Sequence, residues 1–208
     1  MAVRIRPPIV FGFHGTSLTA GRLACPDKNW VEHFLADMRA QPECKGQVIG
    51  YNTGKGSQTS DWGAANAYVL AGLKPTHILF EGFGINDCAI GPVSLAQAAA
   101  NFDSMVATWR AGNPDVALTH QTMSPAAPDD ALRTQLQAYY DQELARATAN
   151  GVPSLNHTPN WPELTAANTN GAPAGDKLHP LWAGVFQAYS YPAIRAWGIA
   201  QLATHWPD

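Results

Sequence analysis

Five short apolar runs, each followed by a stretch patterned as a helix, constrain this chain more than any other feature of its sequence. Pro8–Phe13 (PIVFGF), Gln47–Tyr51 (QVIGY), Thr76–Phe80 (THILF), Asp115–Thr119 (DVALT) and Val152–Asn156 (VPSLN) read as strands. Trp30–Met38 places Trp30, Val31, Phe34, Leu35 and Met38 on one helical face, with Asn29 as its cap. Asp61–Leu73, Ser94–Ala111 and Pro128–Ala149 are also read as helices, and Pro180–Leu202 as a final helix interrupted near Tyr191-Pro192. Strand and helix in alternation require right-handed crossovers, which give a parallel sheet covered on both faces. The expectation is an α/β fold with a doubly wound, flavodoxin-like sheet of five parallel strands. Pro153 suits only an edge strand. Residues 158–175, rich in Asn, Pro, Thr, Ala and Gly, read as a long loop. Nothing in the composition breaks the chain, so residues 1–208 are read as a single domain.

In an open parallel sheet, ligands bind beyond the carboxyl ends of the strands. Four segments fall there. Gly15-Thr16-Ser17-Leu18-Thr19 follows the first strand, Gly54-Lys55-Gly56-Ser57 the second, and Gly84-Ile85-Asn86-Asp87 the third. Asp176-Lys177-Leu178-His179-Pro180 lies in the long excursion after the fifth. Each has a bland reading. Ser17 suits a helix cap, Gly54 and Gly56 a turn needing positive φ, Asn86 an Asx-turn, Asp87 a cap for the helix that follows, and Asp176 another cap. Taken together they supply what ester cleavage by a serine needs: a hydroxyl nucleophile, oxyanion donors, an imidazole base and an acid to orient it. Asp and His three residues apart can meet within one turn. The Gly54–Gly56 loop could instead hold a nucleotide or flavin, although it lacks the Walker spacing.

A formal charge of −3 without a basic run excludes an electrostatic footprint for nucleic acid. No stretch is long and apolar enough for a membrane span. The first strand starts within a few residues of the N-terminus, leaving no room for a signal peptide. The expected location is therefore cytoplasmic, unless the chain is the mature form of a secreted protein. The three cysteines, Cys25, Cys44 and Cys88, have no close zinc-ligand spacing. Cys25 and Cys44 flank the Trp30–Met38 helix and are candidates for a bridge; the other reading is three buried or half-buried thiols.

Through these four blocks the chain resembles the SGNH hydrolase superfamily, the GDSL esterases and lipases, over nearly its whole length. Where that family usually shows Gly-Asp-Ser-Leu, this chain has Gly15-Thr16-Ser17-Leu18, with Thr16 in place of the Asp. The resemblance implies a three-layer α/β/α sandwich and a metal-free mechanism with no cofactor. It implies Ser17 as nucleophile, Asp176 and His179 as orienting acid and base, and an oxyanion hole built from Ser17, Gly56 and Asn86. Gly56 matches the second block best by its distance from Asn52, with Gly54 as the alternative.

The substrate is less legible. Tyr51, Trp62, Phe83, Trp161 and Trp182 lie in or near rim segments, where aromatic rings could stack on sugars or line an acyl pocket. No lid sequence is evident, which favours short-acyl esters over long-chain lipids, with O-acetylated carbohydrate as the leading candidate. A catalytically silent carbohydrate-binding module and an acyltransferase using the same residues are the competing readings. Oligomeric state is left open.

Overall fold

The computed structural model describes residues 6–21, 29–122, 130–162, 164, 167, 179 and 185–207, with the side chains of 130–133 left aside. Five strands, β1 (Ile9–His14), β2 (Val48–Asn52), β3 (His77–Glu81), β4 (Ala117–Gln121) and β5 (Ser154–Leu155), form one sheet in the order β2-β1-β3-β4-β5. Every adjacent pair is parallel. This is the doubly wound arrangement expected from the alternation. Chain direction across the sheet reverses at β1, so the crevice between the ends of β1 and β3 is the topological switch point.

Side chains alternate along the strands and build a core on each face. On one face Ile9, Phe11, Phe13 and Leu79 pack against Trp30, Phe34 and Met38 of α2 (Trp30–Ala40) and Ile194 and Leu202 of α8 (Tyr191–His205). On the other, Ile78, Phe80 and Leu118 meet Leu70 of α3 (Ser60–Gly72) and Phe102, Met105 and Trp109 of α5 (Leu95–Gly112). Helices thus cover both faces, giving the three-layer sandwich.

The local signals behave as their chemistry demands. Asn29 accepts from the Glu32 N–H while the Glu32 carboxylate accepts from the Asn29 N–H, both at 3.0 Å, a reciprocal cap that opens α2. The Ser94 hydroxyl accepts from the Gln97 N–H at 3.2 Å and opens α5. Helix α6 (Asp130–Ala149) follows β4. As Pro153 required, β5 is an edge strand, and it is only two residues long. The last helix breaks where expected: α7 (Gln187–Tyr189) ends at Ser190 and α8 restarts with Pro192 in its first turn.

Three expectations are corrected. β1 through β4 extend one or two residues past their predicted ends, to His14, Asn52, Glu81 and Gln121. Polar residues continue these strands because the fold supplies partners or neighbouring strands there. Gly84-Ile85-Asn86-Asp87, where an Asx-turn at Asn86 and a cap at Asp87 are the structural alternatives, instead opens a short helix, α4 (Gly84–Ala89), with Asp87 inside it. The Cys25–Cys44 bridge is not formed: Cys44 is a free thiol directed at the Gly46 carbonyl, 3.4 Å away. Cys25 itself, the predicted start of α6 at Pro128, and most of the segment 163–184 lie outside the described residues. Within residues 158–162, the expected loop begins with a 3-10 turn at Thr158–Asn160. No helix among the described residues is long and apolar enough to cross a membrane.

Candidate active site

Ser17 opens α1 (Ser17–Ala20), a single turn that starts three residues beyond the end of β1. The turn is held on several sides. Trp30 Nε1 donates to the Leu18 carbonyl at 3.0 Å, and Asn52 Nδ2 donates to the Thr19 carbonyl at 2.7 Å. From beneath, the Glu81 carboxylate at the end of β3 accepts from the Thr16 N–H at 3.2 Å, the Thr19 N–H at 3.1 Å and the Thr19 hydroxyl at 2.6 Å; the Thr16 hydroxyl also donates to it. These bonds consume the polar groups flanking Ser17. Among the described residues the Ser17 N–H itself has no protein acceptor.

Against this fixed turn stands His179, buried, with its Nε2 2.7 Å from the Ser17 Oγ. The two residues are 162 positions apart in the chain. At that distance imidazole and hydroxyl share a hydrogen bond suited to removing the serine proton as the oxygen attacks. Asp176, the expected partner of His179, lies outside the described residues.

The loop after β2 discriminates between the two candidate glycines. The Gly54 N–H is spent on the Asn52 side-chain oxygen at 2.9 Å, and the Lys55 N–H on the Gly15 carbonyl at 2.9 Å. Gly54 is needed for a different reason: a Cβ there would stand 2.7 Å from the Ala20 backbone nitrogen, so glycine lets the loop lie on α1. Gly56 is half-buried, and among the described residues its N–H has no protein acceptor. Ser57, next along, holds a left-handed φ of 59°, which turns the chain sharply there.

Asn86 is buried in α4 and gives one amide hydrogen to the Gln58 carbonyl at 2.7 Å. It therefore ties the β2 loop to the helix after β3 while a second amide hydrogen remains. Asp87 does not cap the following helix. Its carboxylate accepts from the Ser60 N–H at 2.7 Å and so holds the start of α3 against α4. Glu143 of α6 accepts from the Gly84 N–H at 2.9 Å and secures α4 from the other side. Glu81 and Glu143 lie outside the four sequence motifs. The one signal for Glu81 is an acid directly following the apolar run Ile78-Leu79-Phe80.

A family model, that of the GDSL-like lipase/acylhydrolase family, matches residues 13–185. This chain belongs to that family. The GDSL-like fold is shared with solved structures of low sequence identity. The lipase/acylhydrolase from Enterococcus faecalis superposes with a TM-score of 0.68 at 18% identity, over 94% of this chain and 96% of that one. The psychrotrophic esterase EstA from Pseudoalteromonas sp. gives 0.66 at 18%, over 95% and 97%. The aryl esterase of M. smegmatis gives 0.61 at 14%, over 94% and 97%. No curated protein matches the chain in sequence. As a member of the GDSL-like lipase/acylhydrolase family it is a hydrolase of the esterase and lipase type.

The aromatic residues expected at the rim of this GDSL-like site divide. Phe83 is buried in the core. Trp161 is also buried and donates to the Ser190 hydroxyl at 2.7 Å. Both serve packing. Trp62 stacks on His14 with ring centroids 5.6 Å apart and planes 13° from parallel, and Lys55 Nζ lies 5.6 Å from its ring centroid. Tyr51 is half-buried, and Trp182 is outside the described residues.

Burial sets the protonation of several groups around the sheet. His14, His77 and His157 are each pushed by burial from 6.5 down to about 4. Each stays neutral in the fold but takes a proton on unfolding, so stability rises with pH from about 4 to 6.5. Glu81 works in the opposite sense, because burial raises it from 4.5 to about 7 against its hydrogen bonds to Thr16 and Thr19. Burial likewise raises Asp87 from 3.8 to about 6 against its bonds to Ser60. An acid raised in this way stabilises the fold at low pH and loses that contribution as pH climbs through its folded value. Three histidines against two acids leave a net rise. The urea midpoint is expected to be higher at about pH 6.5 than at about pH 4.5. A midpoint that falls between them contradicts the neutral burial of the histidines.

Proposed function

We propose that this chain is a serine esterase acting on short-acyl carboxylic esters, with O-acetyl groups on carbohydrate as the leading natural substrate. The observation that carries the reading is the 2.7 Å separation of Ser17 Oγ and His179 Nε2 at the sheet's switch point. His179 takes the serine proton as Oγ attacks the ester carbonyl, and Asp176 holds the imidazole in the required tautomer and steadies its charged form. The oxyanion receives N–H groups from Ser17, Gly56 and the Asn86 side chain. His179 then protonates the leaving alcohol, and water hydrolyses the acyl-enzyme by the same proton route reversed. Among the described residues the Ser17 and Gly56 N–H groups have no protein acceptor, which supports this donor set, as does the commitment of the Gly54 N–H elsewhere.

Turnover of p-nitrophenyl esters of graded chain length, beside acetylated sugars, tests the proposal. Activity should be greatest on acetyl and other short chains. A preference for long chains overturns the substrate assignment, and failure to hydrolyse any ester in the panel overturns the esterase reading. Added alcohol acceptors in the same assay report transfer in place of hydrolysis. Asn86→Ala is expected to lower kcat by about 10²–10³-fold, the usual effect of losing one oxyanion donor. That change also releases the Gln58 carbonyl, so the β2 loop loses its tie to α4. Wild-type turnover in Asn86→Ala removes the side chain from the scheme.

A further inference from the structure

The turn that carries Ser17 rests on one buried carboxylate, and that carboxylate takes the same neighbours on both sides of the nucleophile. Residue 16, immediately before Ser17, donates to Glu81 through both its N–H and its hydroxyl. Residue 19, two positions after it, does the same. Glu81 is fully buried and ends β3, the strand beside β1. The approach is so close that a Cβ at residue 15 would stand 2.6 Å from the Glu81 Cβ and 2.7 Å from its Oε2; only glycine leaves room. Four donors converging on two oxygens fix the backbone before and after Ser17, and with it the directions of the Ser17 Oγ and N–H. The acid that the first motif lacks at position 16 is thus supplied through space, from the neighbouring strand, to a threonine standing in that position.

We propose that Glu81 is a positioning residue for Ser17, setting the nucleophile oxygen and its backbone N–H at the geometry needed for attack. This rests on the esterase reading above. Preorganised geometry around a nucleophile governs the rate of the chemical step more than the affinity for substrate. The effect should therefore fall on kcat. The hydrogen-bond chemistry also ranks the substitutions. Three of the four donors, the Thr16 N–H, the Thr19 N–H and the Thr19 hydroxyl, meet Oε2, while Oε1 takes the Thr16 hydroxyl. A glutamine can keep its oxygen at the Oε2 position and turn its amide toward Thr16, whose hydroxyl rotates to accept. Leucine satisfies none of the four.

The test measures kcat and KM separately for p-nitrophenyl acetate, with active sites counted by organophosphate labelling and folding checked by thermal melting. Glu81→Leu is expected to lose about 10² in kcat per folded molecule with KM little changed, the cost of a small misplacement at a reacting centre. Glu81→Gln should stay within about tenfold of wild type, since most of the bonds survive. Where Glu81→Leu does not fold, Thr16→Val with Thr19→Val removes both hydroxyl donors and leaves the N–H bonds, and its kcat should fall by about tenfold. If folded Glu81→Leu, or the double valine variant in its place, keeps wild-type kcat, Glu81 has no positioning role. A glutamine variant as impaired as the leucine variant also overturns the hydrogen-bond account. Either outcome leaves wild-type esterase activity standing. A wild-type protein that hydrolyses no ester overturns the esterase reading, and the role of Glu81 falls with it.

Discussion

Ser17→Ala is expected to lower kcat on p-nitrophenyl acetate by about 10⁴-fold or more and to abolish covalent labelling by an organophosphate, because no other group in the scheme can form the acyl-enzyme. The residual rate should come from the oxyanion donors, which still bind the carbonyl and polarise it for attack by water. The substitution removes one oxygen from a turn whose remaining hydrogen bonds come from Thr16, Thr19, the Leu18 carbonyl and Trp30. Those bonds do not involve the Ser17 side chain, so the melting temperature should hardly move. Measurement of labelling by intact mass, beside thermal melting, checks both statements. A labelled Ser17→Ala protein would place the nucleophile elsewhere.

His179→Ala should be nearly as damaging, about 10⁴-fold in kcat, and should not add to Ser17→Ala when the two are combined. In the proposed mechanism nucleophile and base act as one unit across the 2.7 Å contact: a serine without its base is a poor nucleophile, and a base without the serine has no proton to take. Near-equal single and double variants are the signature of that unit. Independent, multiplying losses in the double variant would mean that His179 acts on something other than Ser17. In the proposed scheme Asp176 is assigned as the orienting acid from its place in the motif, three residues before His179.

The structure also explains why the Gly-Asp-Ser-Leu pattern can lose its acid here. Glu81 occupies the space beneath the turn, and Thr16 contributes a donor to it. An aspartate at position 16 would bring a second carboxylate beside Glu81, whose charged form burial already disfavours. Threonine is the compatible choice.

Several features were legible from the chain alone. Helical and strand periodicities are local, so the alternation and its parallel sheet followed from residues a few positions apart; so did the Asn29 cap, the edge position imposed by Pro153 and the break before Pro192. The motifs after β1, β2 and β3 fall on one rim because a doubly wound sheet puts every such end on the same side. What the sequence could not decide depends on partners remote along the chain. Glu81 meets Thr16 across 65 positions, and Glu143 meets Gly84 across 59. Gly54 and Gly56 look alike as residues, yet the Gly54 N–H is bound to Asn52 and its missing Cβ lets the loop lie on α1, whereas the Gly56 N–H has no acceptor among the described residues. A strand end of uncertain length becomes definite only when the neighbouring strand offers its hydrogen bonds. Local patterning sets which elements form and in what order, whereas a buried polar group acquires its role from the one arrangement that satisfies it, and only the folded chain specifies that arrangement.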